Sequence, residues 1–265
     1  MSATTQTGLW DPQGIPENKT LVYRLGPLSV GLDYCDKELR LWSAWDRDET
    51  NECGVAIKDR ILPGTAAIER FALPDESPTI RSIPVLPDRS VVVRPENVIS
   101  VLPGQIASFF VSLPVWVRIE LAQSEPITLK ELPSEIRSNT WLGTTYSGEL
   151  CYLEKSTARR TLVGRARRDW RVTCPISIHN RNRVPLKITH ICIHVRHLGV
   201  FQGQEHLWTQ PVTIVHDDDT ERLEVTYGRS APDQESIIKT LSDPRVPVRK
   251  SFMEWGLSSL RLPGL

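Results

Sequence analysis

Apolar and polar residues alternate with a period of two along several short segments of this chain. Residues 28–34 carry an apolar side chain at every second position, and residues 39–42 repeat the pattern after a charged turn. Residues 109–113 and 115–121 show the same alternation. Successive side chains of a β-strand point to opposite faces, so this spacing predicts strands that each bury one face. Residues 28–42 are expected to form a β-hairpin.

Proline and glycine divide the chain into short runs. The sequence contains 20 prolines and 15 glycines, and short strands between such turn residues are typical of β-sandwiches. We expect an all-β protein with two β-sandwich domains of the immunoglobulin-like type, although the pattern also fits one sandwich. The predicted order is a loose arm (1–20), a β-sandwich-like domain (21–125), a linker (126–138), a second β-sandwich-like domain (139–230), and a short helix with an apolar tail (231–265).

Helical spacing is confined to the C-terminal residues. Asp233 is a suitable N-cap for a short helix that ends at Leu241. Residues 251–262 are apolar at 253, 257 and 260, on one face of a helix. Because an exposed apolar face requires cover, we expect the tail to fold onto its own domain or a twin subunit, or to dock in a groove of a partner. The docking residues are predicted to be Phe252, Met253, Trp255, Leu257 and Leu260.

Composition limits the classes of partner. The formal net charge is +0, so overall charge gives no reason to expect nucleic acid as a partner. No segment approaches the roughly 18 consecutive apolar residues of a membrane helix, and residues 1–20 lack the pattern of a secretory signal. The 5 cysteines are scattered and odd in number. This predicts reduced thiols and a cytoplasmic location.

Arginine is concentrated in one short segment. The residues are Arg159, Arg160, Arg165, Arg167, Arg168 and Arg171. Guanidinium groups bind phosphate and carboxylate through paired hydrogen bonds, so the segment is a candidate face for an anion or an acidic partner. A solvated hairpin, balanced by acidic residues elsewhere, explains the same pattern and is favoured.

Three residues of metal-ligating type, His190, Cys192 and His194, lie two apart. Imidazole and thiolate are zinc ligands, and the spacing puts the three side chains on one face of a strand. Side chains at that spacing on one strand converge poorly on a single ion. Ile191 and Ile193 also mark the opposite face as the core face. We therefore expect no metal ion at these residues.

The sequence contains no short motif of a nucleotide-binding loop or a known catalytic site. Ser147 lies in a turn rich in glycine and hydroxyl groups, but no histidine or acid is paired with it. Residues 217–221 are acidic, yet they lack the alternating ligand spacing of a calcium loop. We therefore assign no catalytic residue, no cofactor and no metal ligand.

Several short motifs follow one another in order. They are Arg94-Pro95, Leu102-Pro103-Gly104, Leu113-Pro114-Val115-Trp116-Val117-Arg118, Thr140-Trp141-Leu142-Gly143, Gly148-Glu149-Leu150-Cys151-Tyr152, Cys174-Pro175-Ile176 and Leu207-Trp208-Thr209. Over residues 20–232 they resemble a prokaryotic family, domain-of-unknown-function family 432. The resemblance implies no catalytic residues. It implies a loose link with small mechanosensitive channels, because genes of the family lie near genes for such channels.

These observations favour a non-enzymatic protein-interaction or regulatory module that binds a protein partner or associates with itself. One alternative is a hydrolase with its site between the two domains. Another is a β-sandwich that binds a carbohydrate or small ligand on an aromatic platform. The candidates for that platform are Trp42, Trp45, Trp141 and Trp208, although buried core tryptophans explain the same residues.

Overall fold

The computed structural model describes residues 8–46, 52–61, 67–73, 77–144, 146–164, 166–217, 222–247 and 252–256. Within these ranges the chain forms β-strands joined by turns, with one 3-10 turn at Val195–His197 and no α-helix. The prediction of an all-β protein is confirmed, whereas the immunoglobulin-like pairing of sheets stays a prediction. Clustering of contacts divides the chain into two compact units, each built from segments distant in sequence.

The first unit comprises residues 1–85, 115–135 and 168–170. Numbered in chain order, its strands are β1 (Gln13–Gly14), β2 (Lys19–Leu25), β3 (Leu28–Cys35), β4 (Glu38–Trp45), β5 (Cys53–Asp59), β6 (Ile68–Ala72), β7 (Thr79–Val85), β11 (Trp116–Leu121) and β12 (Ile127–Pro133). They form a five-stranded sheet, in the order β5-β2-β3-β4-β6, and a four-stranded sheet, in the order β1-β7-β11-β12.

The predicted hairpin of the first unit is the pair β3–β4, which runs antiparallel from Leu28 opposite Trp45 to Cys35 opposite Glu38. Gly31 lies opposite Trp42, and a β-carbon at Gly31 would overlap the indole ring. Glycine therefore makes room for a large side chain on the neighbouring strand. Residues 127–133, which the sequence analysis assigned to a linker, form β12 and pair with β11.

The second unit comprises residues 86–114, 136–167 and 171–265. Its strands are β8 (Val91–Pro95), β9 (Ile99–Val101), β10 (Ile106–Pro114), β13 (Asn139–Gly143), β14 (Gly148–Ser156), β15 (Arg171–Asn180), β16 (Leu186–Ile188), β17 (Ile191–Ile193), β18 (Val200–Gly203), β19 (Leu207–Trp208), β20 (Val212–His216), β21 (Arg222–Tyr227), β22 (Ile237–Ser242) and β23 (Phe252–Gly256).

The described strands of the second unit form three sheets. The largest has eight strands and branches at β15, which pairs with β10 along one edge and, along the other, with β19 and then β20. Strand β15 is buried along most of its length, so these pairings surround the core of the unit. A four-stranded sheet has the order β13-β14-β8-β17, and β16 pairs with β9.

The short helix predicted to end at Leu241 is wrong, and the described part of the predicted helical tail is a strand. Residues 237–242 form β22, which pairs antiparallel with β18, and Phe252, Met253 and Trp255 lie on β23, which pairs antiparallel with β21. A partner strand thus decides the structure over the local helical spacing. Leu257 and Leu260 lie outside the described residues.

Candidate functional site

One face of the four-stranded sheet brings together side chains from three neighbouring strands. On β14, residues 149, 151 and 153 share a face because side chains alternate along a strand. The neighbouring β8 runs parallel to β14 and places Val92 opposite Leu153. On its other side, β17 runs antiparallel and places Cys192 opposite Val92. The sheet therefore brings residues about 40 positions apart in the sequence onto one surface.

A carboxylate and two thiols meet on this face. One carboxylate oxygen of Glu149 and the sulfur atoms of Cys151 and Cys192 all lie within 4.8 Å of one another. The Cys192 sulfur lies 3.7 Å from Glu149 Oε1. Both cysteines are buried, and Glu149 is half-buried. The side chains of Val92, Leu142 and Leu153 pack around the thiols, so the two sulfur atoms lie in an apolar wall beside one partly solvated carboxylate.

A histidine and a serine complete the cluster. His194 Nε2 lies 3.8 Å from the Cys192 sulfur, and His194 Nδ1 lies 2.9 Å from Ser90 Oγ. The Ser90 hydroxyl donates a hydrogen bond of 3.2 Å to Glu149 Oε2. Because that hydroxyl has one proton, it accepts from His194 Nδ1–H when it donates to Glu149. This arrangement favours the tautomer in which the Nε2 lone pair faces Cys192.

Burial determines the protonation of this cluster. A hydrogen bond with Cys151, together with burial and the charge of Glu149, raises the pKa of the Cys192 thiol. Burial lowers the pKa of His194 to about 4, and the charge of His197 contributes less. Glu149 lies 3.6 Å from His194 Nδ1 and favours the protonated ring, but loss of hydration outweighs it because the ring is buried. At neutral pH, with no cation present, the thiol and the imidazole are therefore uncharged.

The model of the family described as Protein of unknown function (DUF432) matches residues 9–257. The chain belongs to the DUF432 family. No curated protein and no solved structure gives a significant match. The resemblance noted from the short motifs is thereby confirmed and extends over nearly the whole chain.

In this DUF432 chain the predicted histidine and cysteine triplet is divided. Cys192 and His194 belong to the cluster, together with Glu149 and Cys151, whose strand the sequence analysis did not connect with them. Neither histidine is in the group of three donors formed by Glu149, Cys151 and Cys192. His194 adjoins that group through Cys192 and Glu149, whereas His190 Nδ1 lies 3.4 Å from Thr189 Oγ1. The spacing of two along the sequence is enough to relate Cys192 to His194, but it gives no sign that residues of β14 lie beside them.

Ser147 and Asp217 have structural contacts. The Ser147 N–H donates to Thr144 Oγ1 at 3.0 Å, within the turn between β13 and β14. Asp217 lies 3.8 Å from Arg181 in an exposed ion pair. Neither residue contributes to the cluster of metal-ligating side chains found in the described part of the chain.

The six arginines of the predicted anion-binding face differ in their surroundings. Arg159, Arg160 and Arg167 are exposed in the second unit, and Arg168, in the first unit, is exposed with its guanidinium 5.9 Å from the Trp170 ring. Arg171 is buried and forms an ion pair of 2.7 Å with Glu154. Arg165 lies outside the described residues. Arg171 is therefore engaged in the core of the second unit.

The β13–β14 hairpin also carries an exposed aromatic surface. Trp141 lies opposite Leu150, and these side chains are 54% and 43% exposed. The Trp141 indole N–H donates to Thr144 O at 2.9 Å, which fixes the ring over its own turn. Tyr152 lies on the same face of β14 as Leu150, and the Arg89 guanidinium lies 5.7 Å from the centroid of its ring.

Strand β13 ends the four-stranded sheet. The Leu153 N–H donates to Ser138 O, so the backbone groups of Ser138 face β14. Backbone direction alternates in an antiparallel pair; Thr140 and Leu142 therefore also face β14, while Asn139 and Trp141 direct their N–H and C=O groups away from it. No strand among the described residues pairs with this outer edge. Nor is there a helix in the described ranges that is long and apolar enough to cross a membrane.

Proposed function

We propose that the protein is a non-enzymatic interaction module of a regulatory pathway, and that it binds an extended segment of a partner protein at the outer edge of β13. The observation that carries the proposal is the outer edge itself, which ends a sheet beside the exposed Trp141 and Leu150. An extended peptide adds to such an edge through backbone hydrogen bonds. Exposed strand edges are otherwise usually shielded, because they promote aggregation.

The side chains beside this edge have the composition of a binding site. Tryptophan, tyrosine and arginine are enriched where protein interfaces gain most of their affinity. Trp141 and Tyr152 lie on one face of this hairpin, and the Arg89 guanidinium lies over the Tyr152 ring. Trp141 is held by its hydrogen bond to Thr144, so little conformational freedom is lost when a partner covers it. An apolar side chain of the added strand, on the outer side of β13, would pack against Trp141.

The state of the buried cluster supports a non-enzymatic role. A catalytic cysteine is normally an accessible thiolate with a lowered pKa, whereas Cys192 is buried and its pKa is raised. The arrangement of thiol, imidazole and carboxylate thus gives no support to the hydrolase alternative. A carbohydrate site on a tryptophan platform is disfavoured by Trp42 and Trp208, which are buried.

Four further expectations accompany this proposal. The exposed Arg159, Arg160 and Arg167 would steer an acidic partner toward the second unit. An immunoglobulin-like organisation of the sheets would suit an interaction module, since many such domains bind partners. A link with mechanosensitive channels and a cytoplasmic location remain expectations from the family resemblance and from the cysteine content.

A peptide selection tests the proposed edge. Random ten-residue peptides displayed on phage are selected against the full-length chain, and the affinity of an enriched peptide is measured by fluorescence anisotropy. Asn139→Pro removes an outward N–H at the first residue of an edge strand, a position where proline is tolerated. This change should abolish binding. Trp141→Ser should weaken it at least about 30-fold, as expected for an aromatic anchor worth 2 kcal/mol or more.

The matched control is Val184→Ser, which truncates an exposed apolar side chain elsewhere in the second unit. It should leave peptide affinity unchanged. Circular dichroism and thermal melting establish that each variant is folded. Peptides that bind wild type, Asn139→Pro and Trp141→Ser equally would place the interaction on another surface and defeat the proposal.

A further inference from the structure

We propose that the protein binds one zinc ion between β14 and β17, with Glu149, Cys151, Cys192 and His194 as ligands. The site has two sulfur donors, one imidazole nitrogen and one carboxylate oxygen. Zinc in proteins is bound by these donor types, commonly in tetrahedral sets that contain two or more cysteines. Thiolate donors disfavour magnesium and calcium, which prefer oxygen.

The spacing of the donors suits a tetrahedral ion. With Zn–S bonds of about 2.3 Å and Zn–N or Zn–O bonds of about 2.0 Å, neighbouring ligand atoms in a tetrahedron lie about 3.3–3.8 Å apart. The Cys192 sulfur lies 3.7 Å from Glu149 Oε1 and 3.8 Å from His194 Nε2. The Cys151 sulfur lies within 4.8 Å of the carboxylate and the other sulfur. His194 lies outside the group of three donors within 4.8 Å, so its ring has to move further than the other three side chains for the four atoms to surround one ion.

Ser90 supplies the outer contact that such a site requires. A metal-binding histidine usually donates its other ring N–H to a neighbouring acceptor, which fixes the ring and its tautomer. The Nδ1 of His194 lies 2.9 Å from Ser90 Oγ, and the same hydroxyl bonds to Glu149. One serine, next to β8 and between the two ligand-bearing strands, therefore orients both the imidazole and the carboxylate.

A disulfide is a poor explanation for the two neighbouring thiols. Strand β8 lies between the strands of Cys151 and Cys192, and Cys192 is level with Leu153 rather than with Cys151. Two strand spacings of about 4.7–4.9 Å alone separate their α-carbons by about 9–10 Å, and the offset adds to this. A disulfide requires about 7 Å or less. The sulfur atoms can approach each other but cannot bond without movement of the backbone. A metal ion spans that separation, and its charge would stabilise the thiolates that burial disfavours.

The donor set differs from the one considered from the sequence, since Glu149 and Cys151 replace His190. Four protein ligands in a largely buried site are typical of structural rather than catalytic zinc. The site is therefore expected to stabilise the second unit and not to activate water. The zinc site does not depend on the peptide-binding edge of β13, so Asn139→Pro should leave zinc binding unchanged. The failure of one proposal is therefore distinguishable from the failure of the other.

The test uses the full-length chain purified without a histidine tag. Elemental analysis should find about one zinc per chain, and Co²⁺ added to the metal-free protein should give thiolate-to-cobalt charge transfer and the intense d–d bands of tetrahedral coordination. Cys151→Ser and Cys192→Ser should abolish the charge-transfer intensity or reduce it by half. Ser90→Ala, which retains all four ligands, should weaken zinc affinity about 10- to 100-fold.

The matched control is Cys174→Ser, which changes a thiol that is also fully buried but lies outside the cluster. It should leave zinc stoichiometry and the cobalt spectrum unchanged. If a cysteine variant fails to fold, the wild-type titration and the Ser90→Ala affinity still decide. Folded wild-type protein that holds less than a tenth of an equivalent of zinc and gives no cobalt charge transfer would overturn the proposal, as would a spectrum insensitive to Cys151 and Cys192.

Discussion

Replacing Glu154 by glutamine removes the negative charge that faces a buried arginine. Glu154 Oε1 lies 2.7 Å from Arg171, and Oε2 lies 2.9 Å from Arg137. The side chains of Glu154 and Arg171 are 4% and 8% exposed. Arg171 also donates to the hydroxyl and the carbonyl oxygen of Ser112, at 2.9 and 3.0 Å. Strands β10, β14 and β15 of the second unit thus meet at this ion pair.

The expected loss follows from these contacts. Removing one partner of a buried ion pair costs about 3–5 kcal/mol, because the other charge remains without solvation. Glutamine keeps a hydrogen-bond acceptor, and the bonds from Arg171 to Ser112 remain. We therefore expect the lower end of the range, about 3 kcal/mol. Replacing both charges, in Glu154→Gln with Arg171→Met, should recover at least about 1 kcal/mol of this loss.

Urea unfolding followed by tryptophan fluorescence measures the effect. With an m-value of about 2–3 kcal/mol/M, a loss of 3 kcal/mol lowers the midpoint by about 1–1.5 M. The matched control is Asp217→Asn, which breaks the exposed pair with Arg181 and should cost less than about 1 kcal/mol. A midpoint shift below about 0.3 M for Glu154→Gln, or a double variant less stable than that single variant, would refute the assignment of a buried, energetically coupled pair.

Three further predictions concern pH, thiols and packing. Burial lowers the pKa of His194 to about 4, so the unfolded chain binds a proton before the folded chain does as pH falls below about 6.5. The stability of the metal-free protein should therefore fall by up to about 3 kcal/mol between pH 6.5 and 4. Urea titrations at several pH values should show that His194→Asn flattens this dependence. Thiol titration of the unreduced, denatured protein should count close to five thiols, and a count of one or three would indicate disulfides. In the native protein the half-buried Cys53 should react quickly and the four buried cysteines slowly. Gly31→Ala should lower the free energy of unfolding by about 1–3 kcal/mol because its β-carbon would overlap Trp42. The control Gly54→Ala, whose β-carbon would have nothing within 4 Å, should be close to neutral. Equal thermal melts for the two variants would contradict the packing argument.

The strands that the sequence predicted best are those whose pattern is set by burial of one face. Residues 28–42 and 109–121 alternate, and they form β3, β4, β10 and β11. The helix prediction from Asp233 was wrong, and one local signal against it was present in the sequence. Ile237, Ile238 and Thr240 are β-branched, and such residues favour strands. Pairing with β18 determined the outcome, and a contact between segments about 40 residues apart is not visible in local spacing.

Both proposed sites use residues of β14, and this explains why the sequence showed so little of either. Alternation along β14 directs Glu149 and Cys151 to one face and Leu150 and Tyr152 to the other, so polar, apolar and metal-ligating residues are interleaved in the sequence. Only the pairing of β14 with β8, and of β8 with β17, sorts them. His194 comes within 3.6 Å of Glu149 because only β8 and Ser90 lie between β14 and β17, which is a property of sheet order. A sequence pattern reveals the period of each strand, but the order of the strands determines which side chains meet.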